Sequence, residues 1–211
     1  RDSGLVWTGA GRFVSRPVGL CVQTGGECAS ADASCPAFRR AGEDFPLTLR
    51  AVGWESDADT DLCSGNVATP NFALTNIGLA GELVAPLGGD GGSVTPISYN
   101  HIAAASGETQ VNLSESEVGV FRFRATPGNY LGGAMGGGVS APTGRFYPAS
   151  FDIAIDAGSL DAGCSTGTPF TYTGQPLPWD VPAELQIEAR NLAGGVTANY
   201  TATGFRNLLA S

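Results

Sequence analysis

The chain has 211 residues, 42% of them apolar, and carries 20 carboxylates against 11 cations, all of them Arg, for a net charge of −9. An acidic balance of this kind repels phosphate backbones and argues against nucleic acid as a partner, and no apolar run approaches the roughly 18 residues a membrane span needs. Lys is absent, which rules out Lys–Asn isopeptide locks, while 31 Gly, 13 Pro and frequent Thr, Val and Phe read as an all-β composition.

Arg1 starts mid-phrase without a charged-then-apolar leader, as expected of a mature or excised chain. Residues 1–10 read as the tail of a preceding β unit. At Gly11 the phrase "GRFVSRPVGL" begins, and "GRFYPASFDI" echoes it from Gly144. The echo keeps its register: Cys35 to Asn71 spans 36 residues, and Cys164 to Asn199 spans 35. This is an internal repeat, with units expected at 11–72 (A), 73–142 (B) and 143–211 (A′, a copy of A cut short at its end).

Within A, Cys21, Cys28, Cys35 and Cys63 crowd together without a C-x-x-C, and His101 is the sole histidine, so disulfides are favoured over zinc. The pairing expected is Cys21–Cys28, closing a small hairpin, and Cys35–Cys63, clipping a long loop; Cys164 is left over. Further along, "LTLRAV" alternates Leu47, Leu49 and Ala51 against Thr48 and Arg50, the period-two mark of a half-buried strand. The acidic stretch "ESDADTDLCSGN" follows. Asp57, Asp59 and Asp61 stand at alternate positions with Asn66 beyond, as oxygen ligands do in Ca²⁺ loops. Leu62 stands where an EF-hand has Gly and the twelfth-position Glu is missing, so a solvated acidic loop is read first and a Ca²⁺ site second.

In B, "GGDGG" at 88–92 marks a turn, and Glu115 and Glu117 are read as solvated carboxylates at the start of a strand. "VFRFRAT" alternates Phe121, Phe123 and Ala125 against Arg122 and Arg124. His101 is read as a structural, partly exposed side chain with no nucleophile elbow nearby. In A′, "FDIAID" and "LQIEAR" alternate in the same way: Phe151, Ile153 and Ile155, then Leu185, Ile187 and Ala189, should point inward. Trp54 and Trp179 occupy related places and are read first as core plugs, second as sugar-stacking platforms. Asn112 and Asn199 form N-x-[ST] sequons, read as coincidental. The one helix-leaning stretch, "FRNLLAS" at the end, is too short to nucleate alone.

The phrases "RAGEDFPLTLRAVGWESDADTDLCSGNVATPNF", "SEVGVFRFRATPGNYLG", "GRFYPASF" and "FTYTGQPL…IEARNLAGGVTANYT" together resemble the C-terminal region of MshQ-like proteins, associated with the mannose-sensitive haemagglutinin type IV pilus of Gram-negative bacteria. The resemblance covers nearly the whole chain. It implies a secreted or surface β protein and no known catalytic residues; the cluster from Cys21 to Cys35 departs from the commoner pattern.

These readings define the expectations. The fold is all-β, with tandem immunoglobulin-like antiparallel β-sandwiches. The function is that of a non-catalytic extracellular region acting in adhesion or pilus assembly. The alternatives are an accessory region of a secreted hydrolase or a polymerising filament subunit. No cofactor is required, Ca²⁺ being the one candidate. Partners are other domains of the parent chain, pilus or surface proteins and glycans. The locale is secreted or on the cell surface, in an oxidising compartment.

Overall fold

The computed structural model describes residues 11, 13–161, 170–202, 204 and 205. Strands dominate, in chain order β1 (Gly19–Gln23), β2 (Arg39–Arg40), β3 (Phe45–Val52), β4 (Leu74–Ala85), β5 (Val94–Thr95), β6 (Ser98–His101), β7 (Glu108–Glu115) and β8 (Gly119–Thr126). Then come β9 (Asn129–Tyr130), β10 (Gly133–Ala134), β11 (Gly138–Val139), β12 (Thr143–Tyr147), β13 (Ser150–Asp156), β14 (Ser159–Leu160), β15 (Trp179–Val181) and β16 (Glu184–Arg190). One four-residue 3₁₀ turn, Ala198–Thr201, follows. The all-β expectation holds. Among the described residues no helix is long and apolar enough to cross a membrane.

Residues 19–147 form a two-layer sandwich. One sheet runs β1-β3-β7-β5; the other runs β2-β12-β8-β4-β6, with β11 also paired to β8. All pairings are antiparallel except β2 with β12. The alternation seen in the sequence drives the packing. Leu47 and Leu49 of β3 face Phe121 and Phe123 of β8 in one buried cluster, while Arg122 and Arg124 point to solvent. The Phe45 ring lies 5.2 Å from that of Phe123 and 5.5 Å from those of Phe38 and Phe146, at tilted and edge-on angles.

The segments expected as separate units A and B therefore share sheets and a core. β3 from 11–72 has β7 from 73–142 as its neighbour, and β12, expected in A′, pairs with β8. A strand pair such as β1–β3 buries one face only when a second layer covers it, and that layer comes, apart from the short edge strand β2, from residues 74–147.

Beyond Tyr147 a smaller unit pairs β13 with β16 and β14 with β15. The repeat shows in its main-chain bonds. Thr69 N–H donates to Ala51 O at 2.9 Å, and Thr197 N–H to Ala189 O at 2.9 Å. Phe72 N–H donates to Thr69 O at 3.2 Å, and Tyr200 N–H to Thr197 O at 3.3 Å.

The cysteines pair differently from expectation: Cys21 with Cys63 and Cys28 with Cys35. Cys21 sits in mid-β1 on the side opposite Leu20 and Val22, in register with Arg50. The acidic loop folds back over that side, and Arg50 Nη2 donates to Cys63 O at 3.1 Å. Cys28 belongs elsewhere: its N–H donates to Pro142 O, and it packs with Cys35 and Val120. Proximity along the chain suggested Cys21–Cys28, but the two residues face different neighbours. Cys164, the tail 1–10 and all of "FRNLLAS" except Phe205 lie outside the described residues.

Candidate functional site

In the acidic loop each carboxylate turns back on its own chain. Asp57 Oδ1 accepts from Trp54 Nε1 at 3.3 Å, and Asp61 Oδ1 from Cys63 N–H at 2.9 Å. Asp59 accepts from Asp61 N–H at 2.9 Å and from Asn66 Nδ2 at 2.7 Å. The bonds from Asp61 N–H and Cys63 N–H are side chain-to-backbone turns of the kind Asp favours. Asn66 is buried and also donates to Gly53 O at 3.0 Å, so it ties the loop to the sandwich. The structure thus joins Asp59 and Asn66 directly. Among the described residues no three His, Cys, Asp or Glu side chains gather as a metal group.

Trp54 and Trp179, expected first as core plugs, are both exposed. Phenylalanines from both sheets fill the sandwich core without Trp54, while Trp179 stands in the separate β14–β15 pair. His101, expected to be partly exposed, is buried: its Nε2 lies 3.2 Å from Gly107 O and its Nδ1 3.3 Å from Tyr99 Oη. Burial holds its pKa below the ordinary value.

The densest polar constellation lies where A′ meets the sandwich, at two residues read from sequence as solvated. Glu115 and Glu117 are both buried. Glu115 ends β7 on the same inward side as Leu113, so strand alternation carries its carboxyl into the core. Its Oε1 accepts from Glu117 N–H at 3.1 Å, and its Oε2 has no partner. Room for it is made by glycines. A Cβ on Gly81 would stand 2.7 Å from Oε2, and one on Gly92, whose φ is +62°, would collide with Oε1. Desolvation pushes the Glu115 pKa up to about 8, so at neutral pH the group is largely a neutral acid.

Glu117 is used fully. Its Oε1 accepts from Val118 N–H at 2.8 Å and Asn199 N–H at 3.2 Å, and its Oε2 from Ala198 N–H at 2.9 Å. Desolvation raises its pKa too, against the pull of these bonds. Asn199 completes the latch. Its Oδ1 accepts from Asp90 N–H at 2.7 Å, and its Nδ2 donates to Asp90 O at 2.8 Å and Val118 O at 2.9 Å. Asn191 Nδ2 adds a bond to Ser116 O at 3.0 Å, and Phe205 packs on Ala41 and Val118. Chemically this arrangement is a satisfied polar lock that fixes A′ to the sandwich, with one neutral carboxyl beside it. In the sequence Asn199 reads as a repeat position and a coincidental sequon, with no sign of its place at the junction. The signal that could have found the lock was the turn "GGDGG" next to an inward-facing Glu.

Two family models match the chain: DUF6701, second domain, over residues 16–112, and DUF6701, third domain, over residues 117–211. The chain belongs to the DUF6701 family. No curated protein and no solved structure matches it. In DUF6701 terms the lock spans both matches, since Asp90 lies in the second domain and Glu117 and Asn199 in the third. Glu115 falls between them.

Proposed function

We propose that this DUF6701 region is a non-catalytic part of an extracellular protein tied to a pilus or surface fibre, acting in adhesion or assembly through immunoglobulin-like β units. The observation that carries the reading is the lock itself. Repeated β units fastened end to end by buried hydrogen bonds suit a load-bearing stalk better than a flexible tether. Two disulfides fit an oxidising, extracellular setting, and the resemblance to MshQ-like proteins supplies the pilus. The exposed Trp54, Trp179 and Tyr172 rings are of the kind that stack on glycans.

The test is removal of the segment encoding 16–211 in the parent organism. Fibres are then counted by electron microscopy and surface attachment is measured. Loss of attachment or of fibres is expected; normal values for both would overturn the reading.

A further inference from the structure

The internal repeat places the same side chains in two very different environments. Aligning Ala51 with Ala189, as the equivalent Thr69 and Thr197 bonds require, matches Leu47 with Leu185 and Leu49 with Ile187. Strand register then matches Val22, opposite Leu49, with Ile153, opposite Ile187. In the first copy Leu47 and Leu49 are 0% exposed and Val22 is 3%. In the second, Leu185 is 60% exposed, Ile187 58% and Ile153 64%. The difference lies in what covers them. In the first copy β7 adds to the outer edge of β3, and β4, β8 and β12 form the second layer. In the second, among the described residues, the outer edge of β16 carries only the bridge from Arg190 to Val196, and the apolar face is open beyond Phe151, which packs on Tyr200.

We infer that the β13–β16 pair is a docking surface for a further β unit of the kind residues 73–147 form. That unit would lay one strand along the outer edge of β16 and an apolar sheet over Ile153, Ile155, Leu185 and Ile187. The occupant is specified by the repeat: the face that 73–147 covers on β1–β3 recurs on β13–β16 with the same residue pattern. Strand addition supplies main-chain bonds along the edge, and alternate side chains read the register. A second copy of this chain is a poor occupant, because its own strands from 73–147 are already engaged with β1 and β3. The opposite face of the pair carries Asp152, Asp156, Glu184 and Glu188, which keeps it in water and leaves the apolar face as the one to cover. The inference rests on the repeat geometry and stands apart from the pilus reading.

The experiment extends the full chain after Ser211 with a second copy of residues 73–147 and compares it with the unextended chain by hydrogen exchange and by binding of an apolar dye. Extension should slow exchange in 184–190 by about tenfold or more and suppress dye binding, and Ile153→Asp should reverse both without altering exchange in 45–52. Unchanged exchange in 184–190 would overturn the inference. So would a dimer of the unextended chain that Ile153→Asp disperses, since the occupant would then be a second copy. A control does not depend on the extension folding: Ile155→Asp in the unextended chain should leave its melting temperature nearly unchanged, and a large drop would show that the face is already covered.

Discussion

Glu115 holds a carboxyl where water cannot reach it, and the consequence is a pH dependence with a definite sign. Its pKa is about 8 in the folded chain against 4.5 as the ordinary value. Between those two values the folded state keeps a proton that the unfolded state releases, so stability falls as pH rises through that window. Glu117, also raised, acts in the same direction. His101 acts in the opposite one, since its lowered pKa costs stability as pH falls below about 6.5. Comparing wild type with Glu115→Gln isolates the first contribution. The Gln variant should gain on wild type steadily from pH 5 to pH 8 in thermal melts, by about 1.4 kcal/mol for each unit of pKa difference as an upper bound. Parallel curves would mean that Glu115 titrates normally.

Strands and turns here are held by what joins them. Asn199 makes three side-chain bonds across the junction; Asn199→Ala would take this buried partner from Val118 O and strip both part-buried bonds from the Asp90 backbone. A loss of about 1–3 kcal/mol is expected, with faster hydrogen exchange in 184–205 while 45–52 stays protected. Equal loosening of both regions would show that the junction is not a separable element. The Cys21–Cys63 bridge closes 42 residues, including the acidic loop, so Cys63→Ser should cost about 4 kcal/mol by chain entropy. Cys35→Ser, opening a separation of 7, should cost nearer 2.5 kcal/mol. Denaturant melts of the two variants would check the order; a reversed order would place the stabilisation in native contacts, not in the unfolded chain.

Taken as a molecule, the described chain is one closed sandwich latched to a smaller unit of two strand pairs. The two DUF6701 matches divide between residues 112 and 117, yet β7 before that point and β8 after it belong to opposite layers of one core. The A–B–A′ phrase order is visible in the sequence because repeats preserve local residue patterns. A β unit, however, is completed by layers that come from the next stretch of chain, and phrase boundaries do not mark where a core closes. Measured cooperativity should follow the core: residues 45–52 and 119–126 should lose exchange protection together, despite lying in different family matches.

Much of the strand content was legible because period-two alternation is a local property. The stretches "LTLRAV", "VFRFRAT", "FDIAID" and "LQIEAR" all lie in strands, β3, β8, β13 and β16. Alternation says which residues share a side, and Leu47 and Leu49 point inward as expected. Ile153, Ile155, Leu185 and Ile187, expected inward too, share a side that is exposed, because covering it depends on a partner layer far along the chain. The same limit accounts for the rest. Cysteine pairing follows which side of β1 the acidic loop crosses. Trp54 is outside because phenylalanines from both sheets fill the sandwich core, and Trp179 is outside because β15, among the described residues, pairs with β14 alone. Glu115 and Glu117, ordinary surface residues by composition, are buried because β7 ends where the turn at 88–92 and the segment at Asn199 close over it. Local chemistry wrote the strands and the repeat; long-range packing alone decided which faces, carboxyls and sulfurs came together, since those contacts join residues that no short window of sequence contains.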